Sequence, residues 1–510
     1  MNRRRFVTLA GAGAIGLGSP VSRVWAAAGR VAPPVSGALR PLARRHPLRV
    51  PDVVSAADLR LVASPATVDI GRGATEAWTL NGALPSPIIR ARRGERASIL
   101  LENDLPESTI LHWHGLDVPE AADGHPRLAI APGDTYQYDF VVEDRAGLYW
   151  YHPHTHGRTG AETYKGMAGL IVVEDEEESA LGLPSGELDL PIVLQDKRLG
   201  DGTSLAYERS MGPDVMYGYL GDTAVANGVI DPTVEVHRTG YRLRLLNASN
   251  ARVLELGLSN GRPFTLIGTD GGLLQRPVTL DRIMMGTGER ADILVDFSSL
   301  ERGERVYLRS FEFQIPGMMG MMGGRGMAGG GMGRGRGMGR GGMMMGGLPQ
   351  GAAMDLVEFV ASDAPAEAPR TAPAVLSSVP RIQVVEGATR RTFRFKSAMM
   401  QHTINGRSFD LERVDVRVPR GQPERWTIEN SSGLPHPVHI HVGQFQILAR
   451  TGGRNRIMPW ETGLKDTVLV WPEERVEVGV HFRTHRGLFL LHCHNLEHED
   501  MGMMLNFEVV

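Results

Sequence analysis

Asn405-Gly406, then Arg420-Gly421, then Glu424-Arg425-Trp426-Thr427-Ile428-Glu429-Asn430 follow one another in the last third of this 510-residue chain. Asn-Gly is the strongest short hairpin signal, and Gly marks a second turn before a strand that closes on asparagine. The same order occurs twice more. Asn81-Gly82 and Arg93-Gly94 precede Ser98-Ile99-Leu100-Leu101-Glu102-Asn103, and Asn227-Gly228 and Thr239-Gly240 precede Tyr241-Arg242-Leu243-Arg244-Leu245-Leu246-Asn247. Self-similarity on this scale implies three copies of one β-sandwich, expected at residues 50–178, 186–312 and 375–510. The 63 glycines and 32 prolines, spread among short runs of Val, Leu, Ile and Thr, agree with an all-β chain. A chain this long exceeds one hydrophobic core.

The formal net charge of −3 calls for neither nucleic acid nor an acidic membrane as partner. Asn2-Arg3-Arg4-Arg5-Phe6-Val7, a short Gly/Ala-rich apolar run and Ala26-Ala27-Ala28 read as a twin-arginine export signal over residues 1–28. That run is too short to span a bilayer, so an exported, extracytoplasmic protein without a membrane anchor after processing is expected, as a monomer. Between the second and third copies, in the insertion and linker of residues 313–374, Gly317 to Gly347 contain only Gly, Met and Arg with one Ala. Without periodicity or β-branched residues this tract cannot bury a core. It reads either as a solvated linker or as a thioether-rich copper buffer. Arg-Gly repeats also occur in single-strand nucleic-acid binders, a reading set aside because the tract has no stacking aromatics.

The only cysteine, Cys493, stands between His492 and His494. Side chains alternate along a strand, so the two histidines face one way and the thiol the other. A lone thiol in an exported protein is a liability unless it is buried or metal-bound. Three further His-x-His pairs are His112/His114 in Leu111-His112-Trp113-His114-Gly115, His152/His154 in Trp150-Tyr151-His152-Pro153-His154, and His439/His441 in His436-Pro437-Val438-His439-Ile440-His441. The four pairs supply eight imidazoles, enough for three clustered coppers. His436, Cys493 and His498, with Met503 as a long axial partner, would complete a separate mononuclear copper. The second copy carries Asn247-Ala248-Ser249-Asn250 where its siblings carry histidine, and reads as a spacer.

Taken together, His-Trp-His-Gly, Trp-Tyr-His-Pro-His, His-Pro-x-His-Ile-His and His-Cys-His-x3-His-x4-Met resemble the multicopper oxidase family over roughly residues 50–510. The resemblance implies three cupredoxin-like Greek-key β-sandwich domains interrupted by the Met/Gly/Arg-rich insertion, and four copper ions. It implies His436, Cys493, His498 and Met503 at a type 1 copper and His112 with His439 at a type 2 copper. His114, His152 and His494 would hold one type 3 copper, and His154, His441 and His492 the other. His156 is an extra, expected in a loop or supporting role. Four electrons would pass through Cys493 to reduce O2 to water, and the protons this needs point to Asp123 and Glu499, which match the family's acidic positions.

Two donors compete. The Met tract and the C-terminal His498-Glu499-Asp500-Met501-Gly502-Met503 resemble bacterial cuprous oxidases of copper tolerance. Those enzymes, however, carry an Asp and a Met just before the type 1 His-Pro, where this chain has Ser431-Ser432-Gly433-Leu434-Pro435. A small-molecule reductant, phenolic or otherwise aromatic as in laccases, is therefore expected, with Cu(I) as the alternative. Copper storage and a structural cupredoxin-like envelope role are the non-enzyme readings, and the complete ligand set argues against both.

Overall fold

The structure, a computed structural model, describes residues 45–199, 202–315, 347–398 and 401–510. The expected export signal at residues 1–28 and all but the last residue of the Met-rich tract fall outside them. Six sheets pair off along the chain. A four-stranded and a five-stranded sheet are built between Val53–Ser55 and Gly169–Glu174. A seven-stranded and a six-stranded sheet follow, and two five-stranded sheets complete the chain from Arg390–Ala398 to Met504–Val509. Met354–Ala361 lies in the segment read as insertion and linker, yet pairs with Arg305–Ser310 and Pro232–Val236 and so extends the second group. Its Leu356, Val357 and Phe359 are buried, which supplies the driving force for that pairing.

The repeated asparagines have a common structural cause. Asn81, Asn227 and Asn405 adopt positive φ of 57°, 47° and 54°, and each following Gly is also left-handed, as a tight hairpin turn requires. Each Asn side chain then bridges a neighbouring strand. Asn81 accepts from Val62 N and donates to Arg60 O, Asn227 joins Val193 N and Pro191 O, and Asn405 joins Arg394 N and Thr392 O.

The closing asparagines are equally regular. Asn103, Asn247 and Asn430 each accept from the backbone N–H two residues on and donate to two carbonyls across the loop. All three are buried, so each bond satisfies a loop group that water cannot reach. In the first and third groups the chain emerging from this lock carries the histidines. Behind them lie two cores, one around Trp113, Tyr138 and Tyr151, the other around Trp426, Phe489 and Phe507.

Candidate metal centre

Two antiparallel strand pairs aim the histidines. Leu111–His114 pairs with Gly147–Pro153 so that His112 faces His152. His436–Ile440 pairs with Gly487–Cys493 so that His439 faces His492 and Val438 faces Cys493. The second member of three pairs, His154, His441 and His494, sits one residue past its strand end. Backbone bonds to Ile110, Leu490 and Pro437 hold those three residues in line.

Eight imidazoles meet between the first and third groups, all buried. The outer nitrogens decide what the inner ones are. His112 Nδ1 lies 2.6 Å from Asp123 O, and His439 Nδ1 2.9 Å from Asp466 O. A carbonyl only accepts, so both Nδ1 atoms carry the proton and both Nε2 atoms, 3.3 Å apart, present lone pairs to each other. His441 Nδ1 donates to Asp123 Oδ2 at 2.8 Å, and His492 Nδ1 donates to Cys493 O at 3.2 Å with Glu499 Oε2 3.1 Å away. Their Nε2 atoms, 3.1 Å apart, converge with that of His154, which is 3.4 Å from His492 Nε2. In the remaining trio His152 donates from Nδ1 to Pro153 O at 2.8 Å, and His114 lies with Nε2 3.0 Å from Asp466 Oδ1. His152 Nε2, His114 Nδ1 and both nitrogens of His494 are buried without a hydrogen-bond partner.

Lone pairs converging with no proton between them are repulsive unless a cation sits there. Burial, reinforced by crowding among the rings, holds His114, His152, His439 and His441 well below the usual imidazole range, and His154 and His494 at about 3. Neutral imidazoles are what a metal requires, so these residues fit copper. Oxygen acceptors behind six of the eight rings, all but His154 and His494, fix their orientation, the usual arrangement around metal-binding histidine.

On the opposite side of the Gly487–Cys493 strand, Cys493 Sγ lies 3.3 Å from His436 Nδ1 and 3.7 Å from His498 Nδ1, and the two nitrogens are 3.3 Å apart. Burial pushes the thiol up and His436 down to about 3. Met503 is buried in the same core, and its carbonyl accepts from Cys493 N. His436 Nε2 is 2.8 Å from Ser432 Oγ, which stands beside a cavity of about 730 Å³. His498 Nε2 donates to Met216 O, and its ring stacks on His402 at 4.1 Å.

Asp123 and Glu499 are both buried against the cluster histidines. Burial raises Glu499, but the imidazoles of His492 and His154 outweigh it and hold the carboxyl at about 2. His156 is exposed and packs edge-on to Phe409, and belongs to no metal-competent group among the described residues. Several functional neighbours carried no motif: Asp466, Arg290, Thr287, Gly288 and His402. The second group is more than a spacer. Thr287 Oγ1 bonds His494 O, and Gly288, at φ 83°, packs so closely that a Cβ there would lie 3.1 Å from both His114 and His494.

Family models described as multicopper oxidase match residues 63–178, 218–315 and 377–510. The multicopper oxidase mco of Staphylococcus haemolyticus is 31% identical over 434 residues, covering 84% of this chain and 83% of its own. The cell division protein FtsP of Xenorhabdus nematophila is 33% identical over 80% of this chain and 79% of its own. The laccase of Haloferax volcanii is 32% identical over 85% and 78%. Among solved structures, the McoA multicopper oxidase of Aquifex aeolicus superposes with a TM-score of 0.78 at 32% identity, covering 92% of this chain and all of that one.

Proposed function

The chain belongs to the multicopper oxidase family, and we propose that within it the protein is a laccase-like enzyme using four copper ions, one of type 1, one of type 2 and two of type 3. The observation that carries this is the direction of the imidazole lone pairs. Every ring whose outer nitrogen meets an oxygen turns the other nitrogen toward its neighbours: His112 and His439 face each other with His114 in reach of both, His114 also meets His152 and His494, His154 meets His441 and His492, and a Cys–His–His set lies beside them. In this reading His112 and His439 hold the type 2 ion. His114, His152 and His494 hold one type 3 ion, and His154, His441 and His492 the other. His436, Cys493 and His498, with Met503 from the same core, would hold the type 1 ion. Bound copper supplies the one-electron and oxygen chemistry.

The protein's own residues supply connection and protons. Cys493 is joined through its backbone to His492 and His494, so the route between the two sites is covalent. Glu499, beside His492, and Asp123, on His441 Nδ1, are the buried carboxylates that would relay the protons oxygen reduction consumes. The donor docks in the cavity beside Ser432, whose hydroxyl touches His436. Its lining residues include Glu429, Gly433, Gly452, Pro472, Glu473 and Arg475, with no Met, Cys or His among them. Carboxylates on a partly apolar wall suit a phenol or aromatic amine better than Cu(I), which prefers soft sulfur. Export by the twin-arginine route, a monomeric state and three domains, at 50–178, at 186–312 extended by Met354–Ala361, and at 375–510, belong to the same proposal. The N-terminal arginines support the first, and the three sheet pairs the last.

Gly433→Trp tests the donor site. A Cβ at Gly433 meets nothing within 4 Å, so the indole can fill the cavity while Ser432 keeps its bond to His436. Oxygen uptake with a phenol is expected to fall at least about tenfold, equivalent to ~1.4 kcal/mol of transition-state binding, with the blue absorption unchanged. Undiminished phenol oxidation with loss of Cu(I) oxidation would reverse the assignment.

A further inference from the structure

Arg290 belongs to the second group of strands, which offers no residue to any of the metal-competent clusters among the described residues, yet its guanidinium is buried at the edge of the copper cluster. All five of its N–H donors are used. Nε donates to Leu148 O, Nη1 to Gly288 O and Asp466 Oδ1, and Nη2 to Asp270 O and Asp466 Oδ2. One side chain thus ties together the first, second and third groups. Its two parallel bonds to Asp466 form the bidentate fork of an ionised carboxylate.

A carboxylate gripped in this way can only accept. Asp466 Oδ1 is 3.0 Å from His114 Nε2, so Nε2 must carry the proton and the lone pair must lie on Nδ1. That matches the geometry on the other edge of the ring, where Nδ1 is buried without a partner. His114 differs here from its neighbours. His112, His152, His439, His441 and His492 all keep Nδ1 on an oxygen and turn Nε2 inward, while His114 is reversed. Thr467 Oγ1, 2.9 Å from Asp466 Oδ1 and 3.0 Å from His114 Nε2, closes the arrangement.

We propose that the Arg290–Asp466 pair is a tautomer lock: the domain without ligands dictates which nitrogen of His114 faces the type 3 site. Both are positioning residues, and the proposal rests on His114 being a copper ligand. It also gives a reason for burying two charges beside a cluster of cations, where neither touches the metal. A buried fork of this kind is weak evidence of stability but well suited to specifying one geometry.

The experiment uses protein labelled with nitrogen-15 in histidine, comparing wild type, Asp466→Asn and Arg290→Lys. His114 is identified by difference from His114→Gln. In copper-free wild type the ring should carry its proton wholly on Nε2. Both lock variants should show a mixture of the two protonated forms. On copper loading they should keep the type 1 blue absorption and lose the near-ultraviolet band and copper of the type 3 pair. Arg290→Lys keeps the charge and removes the fork, so it decides the matter should Asp466→Asn not fold. A wild-type proton on Nδ1, or variants that retain both the Nε2 proton and full type 3 copper, would overturn the lock. Failure of the wild type to bind a type 3 pair at all would instead strike the ligand assignment beneath it.

Discussion

Copper uptake at the type 1 site is expected to release about one proton at pH 6. An imidazole at its ordinary value of ~6.5 is roughly three-quarters protonated at that pH. Two such ligands would shed ~1.5 protons, and the cysteine one more, for about 2.5 in total. In the fold His436 sits at about 3 and His498 well below the usual range, so both are already neutral. Only the Cys493 thiol, pushed up by burial, still holds a proton to give. Calorimetric titration of copper-free protein with Cu(II) in two buffers of different ionisation enthalpy counts the protons released. Subtracting the same titration of Cys493→Ser isolates the type 1 site, because the variant should load the cluster while losing its blue colour. A difference near 2.5 protons would mean that the histidines are not held neutral before copper arrives, and the reasoning from burial would fail.

Two further outcomes follow from the same electrostatics. Because the folded value of His436 lies below that of the unfolded chain, the unfolded state takes up a proton below pH ~6.5 that the fold refuses. Stability therefore falls with falling pH by about 1.4 kcal/mol per unit until pH approaches 3. In copper-free protein His436→Gln should make that loss shallower by this amount between about pH 6 and pH 4 in denaturant titrations, and an unchanged slope would count against the assignment. Glu499→Gln should slow steady-state oxygen uptake by about 10²-fold or more, the usual scale of positioned proton transfer, while anaerobic bleaching of the blue colour by a phenol keeps its rate. Equal slowing of both would show that Glu499 supports the fold rather than the proton.

Much of the site was legible in the sequence because it is written in strand periodicity. His-x-His places two imidazoles on one face, and four such pairs near repeated Asn-terminated strands name the cluster. The repeats could be read for the same reason: Asn81, Asn227 and Asn405 do one job, and Asn103, Asn247 and Asn430 another, each dictated by local backbone geometry. Asp466 and Arg290 could not be found that way. They are 176 positions apart, and their partnership exists only once the second and third groups pack together. His402 was invisible for the same reason, since it reaches His498 by stacking from the strand Gln401–Ile404 onto the short helix Leu496–Asp500. Met354–Ala361 was missed because its sheet partner Pro232–Val236 lies far upstream of the Met tract.

The cluster also fastens the chain. His112 and His439 stand 327 positions apart, and His154 and His492 338, yet each pair meets within 3.4 Å. Closing a loop of that length costs ~5 kcal/mol of chain entropy by the logarithmic rule, so a metal ion shared by the two ends would act as a clasp. Because His492, Cys493, His494 and His498 come from the third group while His114, His152 and His154 come from the first, neither proposed type 3 site can be completed until those two groups have packed together. Metal occupancy would in that sense certify that the first and third groups have folded against each other.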